Sequence, residues 1–139
     1  MTEPIWITEE AILDIHVQVL LRYGGASGIR EQNMLRSAMA RPLQHFAYGT
    51  GTDIIGLAAV LTAGIVKNHP FVDGNKRTGY LAGSIFLELN GFTLTATNAE
   101  ATAAVLALAA SEMDETGYAE FLRASTVPSE SGQTRQPGE

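Results

Sequence analysis

Apolar residues recur at helical spacing along almost the whole chain. Thr8 is a suitable N-cap, Glu9 and Glu10 suit the positive end of a helix dipole, and Ile12, Ile15, Val19 and Leu20 then share one face. Gly24-Gly25 stops that helix. A shorter helix is expected from about Glu31 to Ala40, burying Met34, Leu35 and Ala38, with Pro42 ending it. A third starts near Thr52 or Asp53 and carries Ile54, Ile55, Leu57, Val60, Leu61 and Ile65. Apolar and small residues surround most of it, so it reads as the central, buried helix. It must close at Asn68-His69-Pro70, because a residue before proline disfavours helix. The fourth runs from Gly74 or Asn75 to Asn90, with Leu81, Ile85, Phe86 and Leu89 apolar and Gly91 as its stop. An alanine-rich fifth follows Asn98 as far as Ala110, and a short sixth carries Tyr118, Phe121 and Leu122. Thr93 to Thr97 reads as an extended stretch with no identifiable strand to pair with. The pattern predicts one all-α domain over residues 1–124, about six helices around a central apolar one. Residues 125–139, rich in Ser, Gly, Pro, Gln and Glu, are expected to be a disordered tail.

Composition narrows the function. A chain of 139 residues suits one domain with a sizeable core. The absence of cysteine excludes a disulfide framework, a thiol nucleophile and cysteine-ligated metal sites. A net charge of −6 without a basic block argues against direct nucleic-acid binding. No apolar run approaches the length of a membrane span, and Met1-Thr2-Glu3-Pro4 lacks the pattern of a signal peptide. A soluble, cytoplasmic protein is therefore expected.

The chemistry concentrates in His69-Pro70-Phe71-Val72-Asp73-Gly74-Asn75-Lys76-Arg77-Thr78-Gly79, between the buried third helix and the start of the fourth. A helix start presents unpaired N–H groups and a partial positive charge, which bind phosphate. Lys76 and Arg77 in that first turn oppose the dipole, so they imply a bound anion. Gly74 lets the backbone approach a ligand, and Asn75 can position a phosphate or a metal's water shell. Asp73 can hold Mg²⁺, which takes few protein carboxylates. His69 can accept a proton near neutral pH, and Phe71 is the expected hydrophobic anchor of the loop. Singly, each residue type is usually structural: Asp-Gly makes turns and Lys-Arg makes solvated faces. In this order they are the parts that phosphoryl or nucleotidyl transfer needs. Elsewhere, His16 and His45 lack metal-ligand spacing and read as structural or surface residues. Gly24-Gly25-Ala26-Ser27-Gly28 reads as a flexible turn, and Gly79 and Gly83 as packing sites for Gly64 or Ala63. Arg41 is a weak candidate for contacting nucleotide or substrate.

Residues 69–77 resemble the central motif of the Fic/Doc superfamily, H-x-F-x-(D/E/N)-(G/A)-N-(G/K)-R. Arg22-Tyr23-Gly24-Gly25, Gly28-Ile29-Arg30, Leu35-x-Ser37-Ala38, Ala40-Arg41-Pro42 and Phe86-Leu87-Glu88-Leu89-Asn90-Gly91 are similar to death-on-curing (Doc) toxins, so the resemblance covers about residues 5 to 122. It implies an all-α fold with His69 as general base, Asp73 on Mg²⁺, and Asn75, Lys76 and Arg77 on phosphates, with Gly74 opening the backbone to them. Nucleotidyl-transferring Fic enzymes typically carry glycine at the position of Lys76 and a second arginine at that of Tyr80. Both departures resemble the Doc branch, while Asp73-Gly74 is also the nucleotidyl-transferase form. The resemblance thus implies a toxin kinase that uses ATP, modifies a threonine of elongation factor Tu and is restrained by a small antitoxin in trans. An AMP-transferase and a catalytically silent binding module are the alternatives.

Overall fold

The computed structural model describes residues 2–130. Its elements run α1 (Glu9–Tyr23), α2 (Gln32–Ala47), α3 (Ile54–Asn68), α4 (Asn75–Leu89), β1 (Phe92–Leu94), α5 (Asn98–Ala109), α6 (Glu115–Ala124) and β2 (Thr126–Pro128). The predicted all-α character holds, with six helices among the described residues.

Helix α3 is the core. Every residue from Gly56 to Val66 is buried, and α2, α4 and α6 pack around it. Small residues allow the close approach. Gly64 faces Ala38 of α2, where an added methyl would come within 2.9 Å of the alanine Cβ. Gly79 and Gly83 of α4 close onto α3, as their small-residue step suggested. Their partners are Val66, Thr62 and Ala58 rather than Gly64 or Ala63, because Gly64 points the other way. The remaining large buried side chains, among them Phe71, Phe86, Leu87, Leu108 and Tyr118, fill the space around this axis.

Three expectations are corrected. Helix α2 does not stop before Pro42 but continues to Ala47 with the proline inside it. The ring is buried in a small apolar recess with Trp6, Met39, Leu57 and Phe86, and that burial offsets the lost hydrogen bond. Met34, assigned to the core, is 37% exposed. The extended stretch after α4 does have a partner: Phe92, Thr93 and Leu94 pair antiparallel with Pro128, Val127 and Thr126. Ordered chain therefore passes the expected boundary at residue 125, and Ser129 N–H still bonds to Gly91 O at 2.9 Å. The rest of the expected tail, residues 131–139, lies outside the described residues.

Candidate active site

The turn between α3 and α4 is built from a helix end that closes abruptly. His69 occupies the C-cap of α3 in the left-handed region (φ 49°, ψ 56°), with its N–H bonded to Ile65 O at 3.2 Å. A non-glycine residue there costs of order 1–3 kcal/mol, which the surroundings must supply. Pro70 prevents the helix from continuing. Phe71 is fully buried and stacks on the His16 ring at 3.8 Å between centroids, as its expected anchoring role requires. His16, itself buried, donates from Nε2 to Asp73 O at 2.8 Å.

Asn75 ties the loop from within. Its Oδ1 accepts from Phe71 N–H at 2.9 Å, and its Nδ2 donates to Phe71 O at 2.9 Å and lies 3.3 Å from His69 Nδ1. The side chain is buried, so its amide is committed to the loop and not to a phosphate or metal shell. What Asn75 retains for an anion is its backbone N–H. Gly74 is also reassigned. Its φ of +80° demands glycine, and an added Cβ would meet Val19, Leu20 and His16 of α1.

The start of α4 is left open. Gly74 offers no side-chain cap, no acid lies in the first turn, and Lys76 and Arg77 are both exposed there. Both cations line a cavity of about 510 Å³ with Tyr23, Tyr80 and Leu81, closed on its other side by Asn98, Ala101, Thr102, Val105 and Leu106 of α5. That volume falls in the range of small-molecule sites. The Arg77 guanidinium lies 3.6 Å over the Tyr23 ring. Partial burial pushes the Tyr80 phenol above its ordinary range, opposed by a hydrogen bond to Ser84. Tyr80 thus stays neutral, and Lys76 and Arg77 are the cations of the lining.

His69 and Asp73 do not line this cavity; they lie on the exposed loop leading into α4. One Asp73 oxygen, Oδ2, accepts from Ala26 N–H at 2.8 Å, and Oδ1 has no hydrogen bond among the described residues. No cluster of three or more metal-ligating side chains exists among those residues. This donor set fits Mg²⁺, which is held by one or two carboxylates together with phosphate oxygens and water. Arg41 is engaged by Glu115 of α6 at 2.7 Å, so it has a partner within the fold.

Two groups escaped sequence reasoning. Tyr23 stands at the end of α1, far from the motif in sequence. Arg30 donates from Nε to His69 O at 2.7 Å and from Nη2 to Asn68 O at 2.8 Å. Nothing local to either residue signals a contact roughly forty to fifty positions away, with α4 for Tyr23 and with the α3 terminus for Arg30. No described helix is long and apolar enough to cross a membrane.

The chain is 38% identical over 78 residues to "Toxin Doc" of Mycolicibacterium smegmatis, covering 55% of this chain and 59% of that protein. It is 29% identical over 85 residues to "Protein kinase doc" of Escherichia phage P1, covering 61% of this chain and 68% of that one. The first match thus spans under two thirds of the relative's length. The description of the Fic/DOC family matches residues 6–87, which include α1 to α3, the whole loop and most of α4. On that match, and with the histidine-to-arginine loop seated between two core helices, the chain belongs to the Fic/DOC family.

Proposed function

We propose that this protein is a Doc-type toxin kinase. It transfers the terminal phosphate of ATP to a threonine hydroxyl of elongation factor Tu, which blocks translation in the cytoplasm, and a small antitoxin restrains it in trans. The observation that carries this reading is the lining of the cavity beside α4: Lys76, one arginine (Arg77) and a neutral Tyr80. A nucleotidyl transferase of this family would place glycine and a second arginine where Lys76 and Tyr80 stand. The names of the two relatives, a toxin and a protein kinase, support the same choice.

In this reading His69 takes the proton of the attacking hydroxyl. The threonine oxygen forms its bond to the γ-phosphorus as the bond to the β–γ bridging oxygen breaks, and ADP leaves. Lys76, Arg77 and the open N–H groups of the α4 first turn stabilise the charge on the phosphates. Asp73 would hold Mg²⁺, which would neutralise charge on the polyphosphate when bound. Asn75 and Phe71 keep the loop in shape, and His69 stands exposed where a macromolecular hydroxyl can reach it.

The test uses the purified protein, Mg²⁺, cell extract and ATP labelled at either the α- or the γ-phosphate. Transfer of γ-label to a band of the size of the elongation factor, absent with His69→Ala, is the expected result. Transfer of α-label would replace the kinase by a nucleotidyl transferase. No transfer of either label would leave a binding module.

A further inference from the structure

The segment between α1 and α2 is more than a connection. It lies antiparallel along the loop that carries His69 and Asp73 and bonds to it at alternate positions. Ala26 N–H donates to Asp73 Oδ2 at 2.8 Å, Val72 N–H to Gly28 O at 3.1 Å, and Arg30 N–H to Pro70 O at 2.7 Å. Ile29 and Phe71 form a bridge pair between them. Glu31 N–H adds a second bond to Pro70 O at 3.0 Å. From the neighbouring α2, Met34 O accepts from Asn68 Nδ2 at 2.9 Å.

At one end of this strap the Arg30 side chain spans the last two carbonyls of the α3 terminus, at Asn68 and His69. A helix C-terminus is the negative end of the dipole and leaves its final carbonyls unpaired, so a guanidinium with two parallel donors fits it. Of the two residues gripped, His69 has a left-handed backbone. Its carbonyl direction and the direction of its Cα–Cβ bond are set by the same two torsions, and the side-chain torsions then place the ring. The grip on His69 O thereby fixes where the imidazole leaves the chain, 3.3 Å from Asn75 Nδ2.

We propose that Arg30 is the positioning residue for His69, holding the histidine in its left-handed conformation and so aiming the imidazole. The consequence for turnover rests on the reading of His69 as proton acceptor; the geometric part does not.

The full chain labelled with ¹⁵N-histidine separates the two. The chain has three histidines, and His45 serves as an internal reference. Relative to wild type, Arg30→Ala should move the His69 ring-nitrogen resonances while those of His45 stay fixed. Arg36→Ala, which removes an exposed partner of Glu9, should move neither. In the labelled-ATP assay, Arg30→Ala should lower kcat by about 10- to 100-fold, the scale for misplacing a reacting group, with KM for ATP within about twofold. Arg30→Lys keeps the charge but offers a point donor in place of a fork, so it should show the same changes to a smaller extent. If Arg30→Ala does not fold, Arg30→Lys carries the measurement. Unmoved His69 resonances overturn the proposal, as does an unchanged kcat, or a displacement shared equally by His45. If wild type transfers no phosphate, the proposed function falls, and the ring resonances alone decide the role of Arg30.

Discussion

Helices α4 and α5 both begin beside the same cavity, and they begin in opposite ways. The start of α5 is saturated by its own side chains. Thr97 Oγ1 accepts from Glu100 N–H at 3.1 Å, and Glu100 Oε1 accepts from Thr97 N–H at 2.9 Å, a reciprocal capping box. The start of α4 has glycine at the cap, no acid in its first turn and two cations where the dipole favours anions. The nearest carboxylate, Asp73, turns to Ala26 instead. One terminus is finished for stability. The other gives up that stabilisation, and in the proposed reading an entering anion completes it. The contrast teaches that a candidate binding site is marked by the local interactions a helix forgoes, where a neighbouring cavity and cations agree with it.

The contrast breaks or sharpens under substitution. The largest effect belongs to His69→Ala, which should lower γ-phosphate transfer by about 10²- to 10⁴-fold, the usual worth of a positioned proton acceptor, and should abolish growth arrest on expression. Equal toxicity of the variant and wild type would detach the loop from catalysis. Lys76→Glu should act in two directions at once. Nucleotide binding, followed by calorimetry, should weaken at least about tenfold, the equivalent of about 1.4 kcal/mol. Thermal unfolding should show a gain of about 0.3–1 kcal/mol, because the acid then suits the dipole. A loss in both would mean that the start of α4 is not electrostatically open. Thr97→Ala should cost about 1 kcal/mol in denaturant unfolding, as the matching probe of the saturated start.

Acid supplies the smallest effect. The Thr97 backbone N–H, and then its hydroxyl, hold the Glu100 carboxyl below its ordinary value of 4.5. A depressed carboxyl stabilises the fold fully above its unfolded value and loses that contribution as pH falls through the folded one. Stability measured from pH 6 downward should therefore decline more in wild type than in Glu100→Gln. An identical decline would show that the box does not hold in solution.

Much of this architecture was legible because its signals are local. Thr8 and Asp53 cap α1 and α3 with their own side chains, Gly24 ends α1, and His69-Pro70 ends α3, all within a residue or two of where the sequence puts them. The unbroken burial of α3 follows from a run with almost no polar face. The rest was settled by long-range contacts. Pro42 remains helical because the apolar recess around its ring outweighs a local preference. The strand at Phe92–Leu94 finds a partner more than thirty residues on, within a stretch whose composition resembles a loop. In the candidate site, the motif singled out one loop, and its spacing could not say which side chains turn inward. Asn75 and Gly74 shape the loop, while Lys76 and Arg77 line the neighbouring cavity.

The alternating bonds from Ala26, Gly28 and Arg30 to Asp73, Val72 and Pro70 also limit how this stretch can vary. Inter-helix connections ordinarily absorb added or deleted residues at little cost. Here a one-residue change of length between Ala26 and Arg30 would exchange the inward and outward sides of the pairing. It would carry the guanidinium away from the two carbonyls it spans. Length between Gly24 and Glu31 is therefore a quantity to preserve in any graft or redesign of this chain, whereas Tyr48–Gly51, whose glycines face open space, is a place where extra residues can be accommodated.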